Sequence, residues 1–145
     1  WNAENVSFEG GQMILRLDDV PLLGEPYSSG HYQTLGFHGY GCLEASFVPV
    51  TASGVVTSFF TFAGPYDDGG NGLHNEIDIE YSRWGDPGRE VAQFVAQPYD
   101  FPGNLERFPV TFSEDGLTSF AFRWLRYALF GEPVMTVRPE PRRSA

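Results

Sequence analysis

Cysteine is almost absent from this chain of 145 residues. The single Cys42 excludes an intrachain disulfide and fits a small core residue at least as well as a reactive thiol. Basic residues are also scarce: nine Lys and Arg stand against nineteen Asp and Glu, a formal charge of -10. That balance argues against a nucleic-acid partner, whose phosphates call for clustered cations. No run approaches the roughly 20 apolar residues that span a bilayer as a helix, so no membrane partner is expected. Helical periodicity is hard to find anywhere. His31, His38 and His74 are too scattered to suggest zinc. Ser28-Ser29-Gly30-His31 lacks the strand–helix elbow of a Ser/His nucleophile, and Gly39-Tyr40-Gly41 lacks the βαβ unit of a dinucleotide site. The chain opens on Trp1 without an initiator Met or a leader pattern. It reads as a mature form or a fragment, so its composition leaves the compartment open. Asn5-Val6-Ser7 matches the glycosylation triplet, a pattern that also arises often by chance.

What is present is β-forming. Hydrophobic residues make up 41% of the chain and aromatics 16%, enough to bury one core. Seventeen Gly and eleven Pro separate short runs rich in Phe, Val, Ile, Tyr and Thr. The runs predict strands over 5–8, 12–17, 31–35, 42–48, 55–62, 76–81, 91–97, 107–112 and 118–124. Within 42–48, Leu43, Ala45 and Phe47 share one side and Glu44 and Ser46 the other. The run 55–62 is apolar at nearly every position and predicts a central strand covered on both faces. Strands at this spacing predict an all-β, two-sheet sandwich of the jelly-roll type. The glycine-rich loop 64–72, with Tyr66, Asp67, Asp68 and Asn71, reads first as a flexible connection and second as the rim of a cleft. After Trp124 alternation fades, and Pro133, Pro139 and Pro141 each remove a ladder donor. The expected organisation is therefore one β-sandwich domain over 1–124 and an irregular, non-native or poorly ordered tail over 125–145.

One stretch carries chemistry. His74-Asn75-Glu76-Ile77-Asp78-Ile79-Glu80-Tyr81-Ser82 places Ile77 and Ile79 on one face of a strand and three carboxylates on the other. A solvated acidic face is the bland explanation. Against it, no Lys or Arg balances the charge, neighbouring carboxylates on one face are destabilising, and aromatic residues flank the strand. Positions i and i+4 lie about 13 Å apart at Cα. Two glutamates leaning together can bring their carboxyls to the roughly 5–5.5 Å that a retaining glycosidase uses. Crowded carboxylates also push one another's pKa values apart, which keeps one of the three protonated near neutral pH.

Glu76-Ile77-Asp78-Ile79-Glu80 resembles the signature of glycoside hydrolase family 16, the family of lichenases, laminarinases and related endo-β-glycanases. Three other segments are similar to the family's pattern. Gly39-Tyr40-Gly41-Cys42-Leu43-Glu44-Ala45 resembles its G-Y-G-x-x-E-x turn and strand. Val55–Phe62 followed by Gly64-Pro65 looks like its core strand and loop, and Phe120-Ala121-Phe122-Arg123-Trp124 like its F-x-W strand. The resemblance covers roughly 1–124. Family members run longer, so the C-terminus is expected to be truncated or altered and the jelly roll incomplete.

The resemblance implies a concave sheet with the acidic strand at the floor of a polysaccharide cleft, as in the concanavalin A-like lectin and glucanase fold. It implies Glu76 as nucleophile, Asp78 as its electrostatic partner and Glu80 as acid/base. Tyr32, His74, Asn75, Trp84 and Gln97 are the candidates for sugar contacts. The implied activity is retaining endo-hydrolysis of a β-1,3- or mixed β-1,3/1,4-linked polysaccharide by an exported monomer, extracellular or periplasmic, that requires no cofactor. A structural calcium is known in some relatives; Asp67, Asp68 and Asn71 could supply oxygens but match no calcium pattern. Lichenases carry an aromatic and Asp where His74 and Asn75 stand, E-Y-R where His31-Tyr32-Gln33 stands, and Asn and Tyr where Val95 and Gln97 stand. The alternative is a non-catalytic carbohydrate-binding relative on the same fold, but a dead relative usually loses one of the two glutamates, and both are present.

Overall fold

The computed structural model describes residues 1–64, 74–83, 90–97, 104–110 and 116–124. Tyr66, the rest of the glycine-rich loop after Gly64, Trp84 and the segment 125–145 lie outside the described residues. No helix among the described residues is long and apolar enough to cross a membrane. The strands are antiparallel throughout, as the alternating and aromatic-rich runs require. By internal packing the chain divides into two compact units, Trp1–His38 and Gly39–Ala145.

In the first unit, β1 (Val6–Glu9) pairs with β2 (Gln12–Leu15), and β3 (Leu17–Asp18) pairs with β4 (Ser28–Ser29). The predicted strand 12–17 is therefore divided at Arg16. There the chain changes partner: the Arg16 N–H donates to Asn5 O at 2.8 Å, and Gly30 N–H donates to Arg16 O at 2.8 Å. A Cβ on Gly30 would sit 2.5 Å from Asn5 O, so only glycine allows this approach. The strand expected over 31–35 does not form; the pairing in this region is made earlier, at Ser28–Ser29. Asn5 is buried, and its Nδ2 donates to Ser28 O at 2.9 Å and to Ser28 Oγ at 3.1 Å. Its glycosylation triplet is thus part of the packing rather than a surface acceptor.

The second unit is an antiparallel sandwich, in keeping with the jelly-roll class. One sheet runs β6 (Val56–Ala63), β7 (Asn75–Arg83), β8 (Glu90–Ala96), β9 (Leu105–Pro109). The other joins β5 (Gly41–Phe47) to β10 (Thr118–Trp124). Every odd position of β7 from Ile77 to Tyr81 faces inward, and Ile79 and Tyr81 are fully buried. Ile79, Ala92 and Phe94 of the four-stranded sheet cluster with Phe120 and Phe122 of β10, and Leu43, Phe47, Phe59 and Ile77 pack around them. Phe47 stacks on Phe120 at 4.9 Å within the smaller sheet, and Phe59 meets Phe122 at 5.5 Å across the two sheets.

Two expectations change here. Cys42 is exposed, because it falls on the outward side of β5 with Glu44 and Ser46 rather than with Leu43, Ala45 and Phe47. Among the described residues β6 ends the four-strand order, and Val56, Ser58 and Phe62 are exposed. The doubly covered positions belong to β7 and β8. Continuous apolarity in β6 does not mean two buried faces: Phe59 fills the core, whereas Phe60 and Phe62 lie on the face of the carboxylates.

Candidate active site

The even positions of β7 all leave the core. Register then assembles their neighbours in lateral rows, because directly opposed residues on adjacent strands share a face. Ser58, Glu80, Gln93 and Arg107 form one row across β6, β7, β8 and β9; Phe60, Asp78, Val95 and Leu105 form the next; Phe62 opposes Glu76 in the third. Gln97 closes that third row from the β8 side, its N–H donating to Glu76 O at 2.9 Å. The result is an open groove of about 280 Å³ lined by Glu76, Asp78, Glu80, Gln93, Val95, Gln97, Leu105 and Arg107.

The three carboxylates are not equivalent. Asp78, in the middle, is 7% exposed. Burial is the main cause that pushes its pKa from 3.8 to about 7; the charge of Glu76, a hydrogen bond with Glu76 and the charge of Glu80 push the same way, and a hydrogen bond from Gln97 opposes them. Its lateral neighbours Val95 and Leu105 are apolar, so that row offers no donor to its ionised form. Burial and its two acidic neighbours thus favour the protonated form of Asp78. Glu76 is held from outside by His74, whose Nε2 lies 2.5 Å from Glu76 Oε2, and the His74 ring packs against Phe62 at 5.4 Å. Glu80 accepts from Gln93 Nε2 at 2.8 Å, and Gln93 Oε1 in turn accepts from Arg107 Nε at 2.7 Å. At the far end of the strand pair, Arg83 and Glu90 form an ion pair at 3.1 Å.

Of the residues singled out in the sequence, Glu76, Asp78, Glu80 and Gln97 line the groove together, and His74 joins them through Glu76. Asn75 opens β7 but occupies an odd position, opposite Ala63, and does not line the groove. Tyr32 is half-exposed in the first unit, edge-on to Phe8 at 5.9 Å. Trp84 lies outside the described residues. Gln93, Val95, Leu105 and Arg107 were not anticipated as lining residues. A signal for one of them existed: Gln93 within β8 and Gln97 just past its end repeat the spacing of four that separates Glu76 from Glu80. Arg107 had no such signal. Among the described residues no three or more His, Cys, Asp or Glu are arranged to hold a metal ion. The oxygens weighed for calcium, on Asp67, Asp68 and Asn71, lie outside them.

Comparison with known proteins places this geometry in context. Residues 1–94 match the model of glycosyl hydrolases family 16. A beta-glucanase of Acetivibrio thermocellus is 43% identical over 81 residues, 56% of this chain and 23% of that protein. A beta-glucanase of Brevibacillus brevis is 29% identical over 143 residues, covering 94% of this chain and 52% of the relative. The endo-1,3-1,4-beta-glycanase ExoK of Rhizobium meliloti is 27% identical over 147 residues, again 94% of this chain and 51% of the relative. The chain thus spans about half the length, or less, of these relatives. No solved structure matches it.

Proposed function

Because the chain belongs to glycosyl hydrolase family 16, we propose that its groove carries out retaining endo-hydrolysis of a β-1,3- or mixed β-1,3/1,4-linked glucan. The observation that carries this reading is the placement of Glu76, Asp78 and Glu80 side by side at the groove, with Asp78 nearly buried and hydrogen-bonded to Glu76. When Asp78 carries a proton it donates to Glu76, which serves as the nucleophile. Its carboxylate attacks the anomeric carbon as the bond to the leaving sugar breaks, and Glu80 gives its proton to the leaving oxygen. A glycosyl ester on Glu76 results. Glu80, now a carboxylate, takes a proton from water, the water oxygen attacks the same carbon, and Glu76 leaves as the free carboxylate. Asp78 supplies electrostatic control throughout: its proton stabilises Glu76 when charged and is released from that duty when the ester removes the charge.

Carboxyl groups and water complete this cycle without a metal or an organic cofactor. The partner is a polymer too large to cross a membrane, so the protein acts outside the cytoplasm, extracellular or periplasmic, as a monomer. The test is to incubate the chain and Glu76→Gln with laminarin, lichenan and agarose and to measure new reducing ends. Release from laminarin or lichenan that vanishes in Glu76→Gln supports the reading, and the preferred polymer names the linkage. Binding to a polymer without any product would turn the assignment to a carbohydrate-binding relative.

A further inference from the structure

We propose that Arg107 is a positioning residue that acts through Gln93 to fix which oxygen of Glu80 can carry the transferable proton. This rests on the reading of Glu80 as acid/base. Glu80, Gln93 and Arg107 oppose one another on three consecutive strands, so their side chains lie abreast on the groove face. A glutamine alone in such a row is ambiguous, since either its oxygen or its NH₂ can turn toward a neighbour. Arginine removes the ambiguity. A guanidinium has five donors and no acceptor, so Arg107 Nε at 2.7 Å can only hold Gln93 Oε1. That turns the Gln93 NH₂ toward β7, where Nε2 donates to Glu80 Oε2 at 2.8 Å.

The consequence is chemical. Gln93 locked in this sense donates to Glu80 and can accept nothing from it. Oε2 of Glu80 is thereby committed as an acceptor, and a proton on Glu80 resides on Oε1. An acid/base must present one defined oxygen to the glycosidic oxygen in the first step and to water in the second, and misplacement of a proton donor is expensive in rate. The adjacent row shows that this is not a general property of the face. There Val95 and Leu105 stand where Gln93 and Arg107 stand beside Glu80, and the donor that reaches Asp78, Gln97, comes from another row. Arg107 is exposed and forms no ion pair among the described residues.

The test compares the parent chain with Arg107→Met, which keeps the length and removes every donor, and Arg107→Lys, which keeps a donor. Hydrolysis of laminarin and lichenan is followed by reducing ends, with Glu76→Gln as the inactive reference. In parallel, the side-chain amide signals of Gln93 are followed by NMR as pH moves through the titration of the groove's acids. Arg107→Met is expected to lower kcat about tenfold with KM changed less than about twofold, the scale of one misdirected hydrogen bond. The Gln93 amide signals should also stop following the acids. Arg107→Lys should recover most of both. If Arg107→Met leaves kcat and the Gln93 signals as in the parent, or if Lys is no better than Met, the proposal is overturned. If the parent releases no reducing ends from any polymer, the hydrolase reading fails. In that case the Gln93 signals still decide whether Arg107 sets the amide, and signals unmoved by Arg107→Met reject the relay on their own.

Discussion

The two faces of β7 are made from alternate residues of one strand, yet they follow opposite physical rules. Ile77 and Ile79 pack with Phe59, Phe94 and Phe122, and Tyr81 is fully buried, so burial of apolar area stabilises the sandwich. Glu76, Asp78 and Glu80, one residue out of step, gather like charges against a half-open groove and leave Asp78 nearly buried. The core face holds the groove face in a conformation that the carboxylates alone would not choose. A strained functional surface persists where the structure beneath over-determines it.

If that division of labour is right, substitutions on the two faces should separate activity from stability. The largest effect is expected from Glu80→Gln. Loss of the acid/base should lower hydrolysis of laminarin or lichenan by about 10³-fold, with much of the rate recovered on an aryl glycoside whose leaving group needs no proton. Thermal melting should barely move. A drop in melting temperature that accounts for the lost activity would break the comparison.

On the other face, Phe122→Ala removes a fully buried ring between Phe59 and the rest of the cluster. It should destabilise the protein by about 3–4 kcal/mol in urea unfolding, while the molecules that remain folded keep their activity. Asp78 sharpens the contrast, because it belongs to both accounts. Its folded pKa of about 7 lies above the unfolded value of 3.8, so its contribution to stability is fully present below about pH 4 and is lost as pH rises through 7. The change should be on the order of a few kcal/mol. Asp78→Asn should flatten stability against pH between about 4 and 7 and still impair hydrolysis. An unaltered pH profile of stability would show that the carboxylates are not crowded in the way described. The smallest effect belongs to the outward side of β5: Cys42→Ser should change stability by less than about 0.5 kcal/mol, since the thiol is exposed.

The sequence foretold β7 well because a period of two from Glu76 to Glu80 leaves only one way to divide isoleucines from acids. It foretold β10 to the residue, since Thr118–Trp124 alternates without interruption. It failed where local pattern does not govern pairing. The strand predicted at 107–112 begins two residues earlier, at Leu105 opposite Val95, and 111–112 lie outside the described residues. The expected strand at 31–35 was displaced by Ser28–Ser29, chosen by a backbone approach that Gly30 permits. Residue type left Cys42 open between a small core residue and a reactive thiol, and its position in the alternation puts it outside.

The chain's order of residues was sufficient to determine that three carboxylates share a face, that isoleucines anchor that face from behind, and that the fold is β, because side-chain alternation is a local consequence of extended backbone. Only tertiary structure could decide which of the three acids is buried, and that an arginine twenty-seven positions beyond Glu80 reaches it through a glutamine. Both depend on which strands lie abreast and on how much water they exclude, and neither quantity exists until the sheet has assembled.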